Sequence, residues 1–245
     1  MMSKPKLKYI ESIGLELEGG ICEEDVISLE NTLNNDQYIR YSVGYDGSVW
    51  VNKPYGKECR WIHDVEIKFW SYDINELEDF VKTLFNTSFR QNPSCGNHHH
   101  FKFKSNLYII SLLTNYEFID YYIINYINTF KDIPKYMDRL YNRYCRSFRD
   151  IYDLIDNITS YRYYAVNFQS VIKHGTLEIR IMPYAKNSNE YMYMLMFNIN
   201  TIESYLNKVM KKKDKKNITL DIGDLTELIE EEITPIRYEV YEDVL

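Results

Sequence analysis

The stretch WIHDVEIKFWSYDINELEDFVKTLF, residues 61–85, contains two successive periodicities that decide the fold class. Apolar and polar residues alternate first, with Val65, Ile67 and Phe69 on one side, which predicts a half-buried strand. From Asn75, the predicted N-cap, the apolar positions follow the spacing of an amphipathic helix. These positions are Leu77, Phe80, Val81, Leu84 and Phe85. The simplest structure is a strand whose apolar face is covered by the following helix.

Alternation of apolar and polar residues recurs along the chain and predicts further strands. The segments are residues 6–20, 97–103, 162–171 and 175–184. Residues 41–51 predict a hairpin, because Asp46 and Gly47 tolerate the positive φ values of a tight turn. The sheet is therefore expected to be built from strands that are scattered over the first 184 residues.

Two longer segments, residues 106–156 with a break near Pro134 and residues 188–210, carry helical patterns. Strands and runs of helix without regular βαβ alternation predict an α+β fold, with an antiparallel sheet and helices packed on one face. Residues 1–210 are expected to form one domain. Residues 211–245 are expected to form a charged linker and an acidic C-terminal helix or tail.

The composition excludes some classes of function. A net charge of −7 argues against nucleic acid as the partner, because nucleic-acid-binding domains usually concentrate cationic charge. The most apolar segment, residues 107–130, is interrupted by polar residues, so no membrane segment is predicted. The four cysteines show no C-x-x-C pairing and follow no secretory signal, which predicts reduced thiols in the cytoplasm.

Four predicted strands place polar side chains on the face away from the apolar core. The pairs are Glu16 with Glu18, Glu66 with Lys68, His98 with His100, and Glu178 with Arg180. For any one strand, a solvated face is the ordinary explanation. Several carboxylates on one face repel one another, however, and need cations to neutralise them. Three or four carboxylates with one or two imidazoles suit magnesium or manganese better than zinc.

Magnesium held by carboxylates on an open sheet usually serves phosphates, for which Arg180 and Arg162 are suitable partners. Two alternatives remain open. His98 and His100 with one carboxylate could form an open zinc site, so a zinc- or manganese-dependent hydrolase is the enzymatic alternative, although the chain has no H-E-x-x-H motif. A non-catalytic nucleotide-binding or assembly protein is the other.

Other residues with reactive or charged groups receive structural interpretations first. His99 is expected to face the core as a hydrogen-bonded structural histidine, and Cys95 to occupy a turn without acting as a nucleophile. Four arginines are spaced as one stripe along a predicted helix, which indicates a solvated or partner-binding face and, second, an anion funnel over the site. They are Arg139, Arg143, Arg146 and Arg149.

Six segments taken together, in this order and spacing, resemble the amidoligase family, which comprises carboxylate-amine ligases related to glutamine synthetase and glutamate-cysteine ligase. They are GLELE (14–18), YDGS (45–48), VEIKFW (65–70), SCGNHHHFKF (94–103), RYYAVN (162–167) and GTLEIR (175–180). The resemblance covers residues 8–200 and leaves the tail without an assigned chemistry.

The resemblance implies a curved antiparallel sheet with ATP and two or three magnesium ions, or manganese, on its concave face. A carboxylate would be phosphorylated and an amine would then displace the phosphate. The substrates would be a carboxylate and an amine, on an amino acid, a peptide or a protein, and such folds often form homo-oligomers. By motif, the implied metal ligands are Glu16, Glu18, Glu66 and Glu178, with His98 and His100 contacting metal or phosphate.

The resemblance also implies which residues contact the substrates. Arg180 would lie near the transferred phosphoryl group, while Arg162 and Asn167 would face the nucleotide or the acid. Lys68, two residues after Glu66, would neutralise the site or bind substrate, although a surface lysine is an equally good interpretation.

Overall fold

The computed structural model describes residues 7–34, 40–47, 51, 62–113, 117–147, 153, 157–158 and 161–213. The strands are β1 (Ile10–Cys22), β2 (Arg40–Tyr45), β3 (Ile62–Ser71), β4 (Gly96–Phe103), β5 (Val166–Asn167) and β6 (Leu177–Pro183). The helices are α1 (Glu23–Asn34), α2 (Ile74–Phe85), α3 (Asn106–Leu113), α4 (Glu117–Phe130), α5 (Pro134–Arg139), α6 (Gln169–His174) and α7 (Ser188–Lys213).

The strands form one six-stranded sheet in the order β2-β3-β1-β4-β6-β5. Every neighbouring pair is antiparallel. The α+β class that the sequence predicts is therefore confirmed. The long strand β1 lies inside the sheet between β3 and β4, so residues from both strands flank its side chains.

One face of the sheet is apolar and forms the core together with the helices. Leu15 and Leu17 of β1, Ile67 of β3 and Ile179 of β6 are buried in one hydrophobic cluster that also contains residues of α2, α3, α4 and α7. Side chains alternate along a strand, so Glu16, Glu66 and Glu178 must project to the opposite face. The two faces are divided as the alternation predicts.

Helix α2 begins two residues earlier than the sequence predicts. Asp73, not Asn75, is the N-cap: its backbone is extended, with φ −117° and ψ 125°, and its carboxylate accepts the N–H of Asn75. This hydrogen bond measures 2.8 Å between Asn75 N and Asp73 Oδ1. An aspartate at this position satisfies a backbone donor that the first helical turn leaves without a partner.

Two sequence predictions about element boundaries differ from the structure. The helical region predicted for 106–156 is interrupted after α5, where turns and a β-bridge between Arg146 and Tyr164 follow, while the described residues 153 and 157–158 are helical. The predicted strand 162–171 is reduced to Val166–Asn167 and is followed by α6. Gly175, whose φ of 67° is left-handed, ends that helix, as glycine commonly does.

The cysteines also differ from the prediction. Cys22 is disulfide-bonded, whereas Cys95 and Cys145 are free and buried. The expectation that all four thiols are reduced is therefore wrong.

Within the described ranges no helix combines the length and the apolar character that a membrane crossing requires. The predicted linker and acidic tail fall almost entirely outside the described residues.

A close approach at Gly19 of β1 gives a stability prediction. A Cβ atom at residue 19 would lie 2.4 Å from the ring of Phe89 and 2.8 Å from the carbonyl oxygen of Arg90. Gly19→Ala is therefore expected to lower the free energy of unfolding by about 1–3 kcal/mol through overpacking. Gly44→Ala is the matched control on β2, where the nearest atom would be 4.0 Å away. Urea unfolding measures both, and equal losses would contradict the close approach.

Candidate metal centre

The strand register brings the predicted polar residues together on the open face of the sheet. Glu16 on β1 lies opposite Lys68 on β3 and opposite His98 on β4. One pair further along β1, Glu18 lies opposite Glu66. Side chains at such positions are direct neighbours, so the carboxylates of β1 and β3 and the imidazoles of β4 form a single group.

The register continues the group toward β5. His100 pairs with Glu178 on β6, and Glu178 pairs with Asn167 on β5. A cavity of about 620 Å³ covers the whole group. All ten residues that the sequence analysis assigned to the site line this cavity: Glu16, Glu18, Glu66, Lys68, His98, His100, Arg162, Asn167, Glu178 and Arg180.

Glu16 is at the centre of the group, and each of its carboxylate oxygens has its own neighbours. Oε1 lies 2.7 Å from Lys68 Nζ and 3.3 Å from His100 Nε2, while Oε2 lies 3.2 Å from His98 Nδ1. Lys68 Nζ also lies 2.9 Å from Glu66 Oε2. One ammonium thus bridges two carboxylates, and both imidazoles face the same glutamate.

Glu178 is held by a second set of contacts. Its Oε1 accepts a hydrogen bond of 2.5 Å from Arg180 Nη1, and its Oε2 accepts one of 2.6 Å from Asn167 Nδ2. The Oδ1 of Asn167 in turn accepts from Asn157 Nδ2 at 3.0 Å. This network fixes the orientation of the Glu178 carboxylate, whose Oε1 lies 3.6 Å from His98 Nδ1.

The backbone of Gly96, at the start of β4, positions Glu18. Its N–H donates to Glu18 Oε2 at 2.5 Å. A Cβ atom at residue 96 would lie 2.9 Å from Arg139 Nη2 and 3.2 Å from His98 Nε2. A side chain at residue 96 would therefore displace the ends of the Arg139 and His98 side chains, which glycine leaves in place.

Together, burial and the mutual contacts lower the pKa of Glu16 and raise the pKa values of Glu66 and His100. Burial would raise the pKa of Glu16, but the imidazoles of His100 and His98 outweigh it and hold that pKa well below its ordinary value. Burial and the nearby charge of Glu16 raise the pKa of Glu66. Burial would lower the pKa of His100, but Glu16 and Glu178 raise it. The group therefore behaves as one coupled cluster of carboxylates and cations.

Three overlapping sets of side chains have ligand atoms close enough to surround a metal ion. They are Glu16 with Glu66 and His98, Glu16 with His100 and Glu178, and Glu18 with Asp46 and Glu66. Within each set the ligand atoms lie within 4.8 Å of one another. Oxygen ligands outnumber nitrogen ligands in every set, which suits magnesium or manganese better than zinc.

A ring nitrogen of His100 adds to the carboxylates as a suitable ligand for a cation. His100 Nε2 is buried and makes no hydrogen bond, although it faces the Glu16 and Glu178 carboxylates at 3.3 and 3.9 Å. Its Nδ1 lies 3.2 Å from Thr176 Oγ1, so that hydroxyl can orient the ring. A buried ring nitrogen aimed at two carboxylates is placed as a metal ligand would be.

Two residues of this site were not predicted from the sequence. Asp46 was interpreted only as a turn residue, but it joins Glu18 and Glu66 in the all-carboxylate set. Arg139 was assigned to a solvated stripe, which is wrong: it is buried, and its guanidinium donates to the carbonyl oxygens of Arg180 and Ile181 at 2.9 and 3.4 Å. The helix that would have carried the stripe ends at Arg139, and Arg149 lies outside the described residues.

Five cationic side chains line the cavity: Arg139, Arg143, Arg162, Lys173 and Arg180. The carboxylates of β1 and β3 line it as well. Arg139 is buried at the cavity wall, whereas Arg143 lines the cavity and is exposed, so Arg143 agrees with the solvated face, and the anion funnel stays a prediction. The cavity combines a carboxylate cluster with several guanidinium groups.

The neighbouring His99 and Cys95 are structural, as expected. His99 Nδ1 accepts from Asn198 Nδ2 at 2.6 Å, its Nε2 makes no hydrogen bond, and burial lowers its pKa to about 3. Burial raises the pKa of Cys95 to about 11. A thiol with that pKa is protonated at neutral pH and is a poor nucleophile.

No protein-family model matches this chain, and neither a curated protein nor a solved structure is found to be similar to it.

A thermal-shift measurement tests the metal centre. Adding Mg²⁺ or Mn²⁺ is expected to raise the melting temperature, because an ion that binds only the folded chain adds about 1.4 kcal/mol at ten times its Kd. Asp46→Asn is expected to reduce this gain, whereas Asp79→Asn, on the exposed side of α2, is expected to leave it unchanged. Identical gains in both variants would contradict the third ligand set. A response to Zn²⁺ alone would favour the zinc alternative.

Proposed function

We propose that this protein is an ATP- and Mg²⁺-dependent carboxylate-amine ligase of the amidoligase type, with a catalytic fold like that of glutamine synthetase and glutamate-cysteine ligase. The observation that carries the proposal is the cavity in which three overlapping metal-ligand sets adjoin several arginines. A metal-bound polyphosphate needs both features at once, because the metal takes part of its negative charge and guanidinium groups take the rest.

The residues that would hold the metal ions are those of the three sets, with Glu16 and Glu66 each shared between two of them. When bound, Mg²⁺ would neutralise phosphate oxygens and help to orient the phosphates. Before the ions bind, Lys68 supplies part of this neutralisation, since its ammonium lies between Glu16 and Glu66. The cavity volume of about 620 Å³ lies within the range of nucleotide and other small-molecule sites.

The arginines would bind the phosphates and the charge that develops during transfer. Arg180 is held in place by Glu178 and by the carbonyl oxygen of Tyr144, 3.5 Å from its Nε. Arg139 is buried, and among the described residues no carboxylate forms an ion pair with it. A guanidinium without a carboxylate partner at a cavity wall favours an anionic ligand.

The proposed reaction has two steps. A substrate carboxylate attacks the terminal phosphorus of ATP, giving an acyl phosphate and ADP. An amine then attacks the acyl carbon, and phosphate leaves as the amide forms. Holding both substrates in one water-poor cavity would supply much of the acceleration, and the fixed cationic groups would stabilise the charge on the transferring phosphoryl group.

A mass-spectrometry assay tests this function. The protein is incubated with ATP, Mg²⁺ and pooled amino acids, peptides and cell extract, and products are scored for the joined mass of two substrates less water. Release of ADP that depends on both an acid and an amine is the expected result. Hydrolysis of pool components without ATP would overturn the proposal in favour of the hydrolase. Stabilisation by ATP and Mg²⁺ with no product in any pool would favour a non-catalytic binding protein.

A further inference from the structure

A second cavity, of about 720 Å³, opens on the same face of the sheet. It adjoins the metal centre, because Glu16, Lys68 and His100 line both cavities. We call the part that runs along β1 the trench. Its floor is Ser12 and Gly14, and its walls are Trp70 and Tyr72 on one side and His100 and Lys102 on the other.

The trench exists because β1 carries small residues at two successive positions of its polar face. Gly14 pairs with Trp70 of β3 and with His100 of β4. An indole and an imidazole therefore flank a position that has no side chain. A Cβ atom at residue 14 would lie 3.2 Å from the Cβ of His100, so even alanine would narrow the floor.

The wall on the β3 side is aromatic and accessible. The rings of Trp70 and Tyr72 meet edge to face with centroids 5.0 Å apart, and Tyr72 is 60% exposed. Aromatic surface of this kind packs well against an apolar or aromatic side chain of a ligand. The trench is thus suited to a ligand with an apolar group near its middle, opposite Gly14.

The two ends of the trench differ in charge. At the inner end stands the carboxylate of Glu16, which also contacts Lys68 Nζ at 2.7 Å and His100 Nε2 at 3.3 Å. At the outer end stands Lys102, which pairs with Ser12 across the sheet. Its ion pair with Glu11, 3.2 Å long, is exposed, and exposed pairs exchange readily because they contribute little free energy.

We propose that the trench binds a short extended peptide whose amino group points to Glu16, whose apolar side chain packs on Trp70 and Tyr72, and whose carboxylate lies at Lys102. The length agrees: Ser12 and Glu16 are four residues apart on one strand, or about 13 Å, and an extended tripeptide spans about 10 Å.

The identification of this peptide as the amine substrate rests on the proposed ligase function, whereas its binding does not. In the ligase, the amino nitrogen bonds to the acyl carbon while the carbon–oxygen bond to phosphate breaks. Of the two ammonium protons that are lost, one goes to phosphate and one to solvent. The trench places this amino group beside the metal centre, where the acyl phosphate would form.

Isothermal titration of the metal-free protein with Gly-Phe-Gly tests the proposal. The tripeptide is expected to bind saturably, and its N-acetyl derivative at least about tenfold more weakly, because it lacks the charged donor for Glu16. Gly-Gly-Gly is expected to bind about threefold to tenfold more weakly, because it lacks the ring that packs on Trp70. The C-terminal amide should bind about twofold to fivefold more weakly, as expected for an exposed charge pair.

Matched variants locate the binding site. Trp70→Ala and Tyr72→Ala are expected to weaken Gly-Phe-Gly binding, with circular dichroism confirming that each variant is folded. Tyr141→Ala, whose ring is 88% exposed, is the control and is expected to bind normally. Lys102→Gln should remove the preference for a free carboxylate over the amide, whereas Lys131→Gln, at an exposed position, should keep it.

The outcomes separate this proposal from the ligase proposal. Absence of saturable binding, or equal binding by the Tyr72→Ala and Tyr141→Ala variants, would overturn the peptide site. Tripeptide binding that follows the expected pattern in a protein that forms no amide in any pool would support the trench and reject the ligase. Amine-dependent ADP release that is insensitive to Trp70→Ala and Tyr72→Ala would support the ligase and reject the trench as the site of its amine substrate.

Discussion

Glu16→Gln is expected to lower amine-dependent ADP release by at least about a hundredfold, since even residues that only support metal ligands commonly cost ten- to a hundredfold. Glu16 belongs to two of the three ligand sets and contacts Lys68, His98 and His100. Glutamine keeps the shape of the side chain but loses its charge, so two ion positions would be weakened together. Coupled-enzyme detection of ADP measures the rate, and the joined product is followed by mass spectrometry.

The control is Glu78→Gln on helix α2, which breaks an ion pair with Lys82 on the helical side of the sheet. That variant is expected to retain full activity. The Glu16→Gln variant should remain folded, because loss of the negative charge at residue 16 also removes the repulsion that helps to raise the pKa of Glu66. A Glu16→Gln protein that is folded and fully active would end the proposal that this carboxylate holds a catalytic metal.

Asn198→Leu is expected to lower the free energy of unfolding by about 2–6 kcal/mol, because two buried polar groups lose their partner at about 1–3 kcal/mol each. Asn198 lies on α7 and joins the core to the back of the site: its Oδ1 accepts from Tyr122 at 2.5 Å, and its Nδ2 donates to His99 Nδ1 at 2.6 Å. Urea unfolding followed by circular dichroism measures the loss.

Asn200→Leu is the matched control, since Asn200 is exposed two residues along the same helix. Its effect should be within about 0.5 kcal/mol, as is usual for surface substitutions. A loss in Asn198→Leu no larger than that of the control would show that the Tyr122–Asn198–His99 chain of hydrogen bonds does not support the strand that carries His98 and His100.

Strand alternation predicted which residues share the polar face, because the side-chain period of a strand is fixed at two and depends on no distant contact. It placed Glu16, His98 and Glu178 on one face and His99 on the other. It did not predict that β1 lies between β3 and β4. Strand order depends on pairings between segments far apart in sequence, so the contacts of Glu16 with both Lys68 and His98 required the structure.

Arg139 and Asp46 show what local patterns miss. The spacing of the four arginines suggested one continuous helix, but tertiary contacts override helical spacing here: α5 ends at Arg139, which binds carbonyl oxygens of β6. Asp46 was recognised as a turn residue, and nothing local indicates that the turn reaches Glu18. The end of α6 did have a local signal, since Gly175 follows Lys173 and His174 as glycine follows many helix ends.

The sharing of Glu16 between two ligand sets has a thermodynamic consequence. Two cations at these sets would compete for the electron density of one carboxylate and would also repel each other, so the occupancy of either position depends on the other. Such linkage is reciprocal. The positions are therefore expected to fill in sequence with unequal affinities. In that case the concentration of free metal ion would determine how many of the two positions are filled when a nucleotide binds. The occupancy of the site would then rise in a graded way with that concentration.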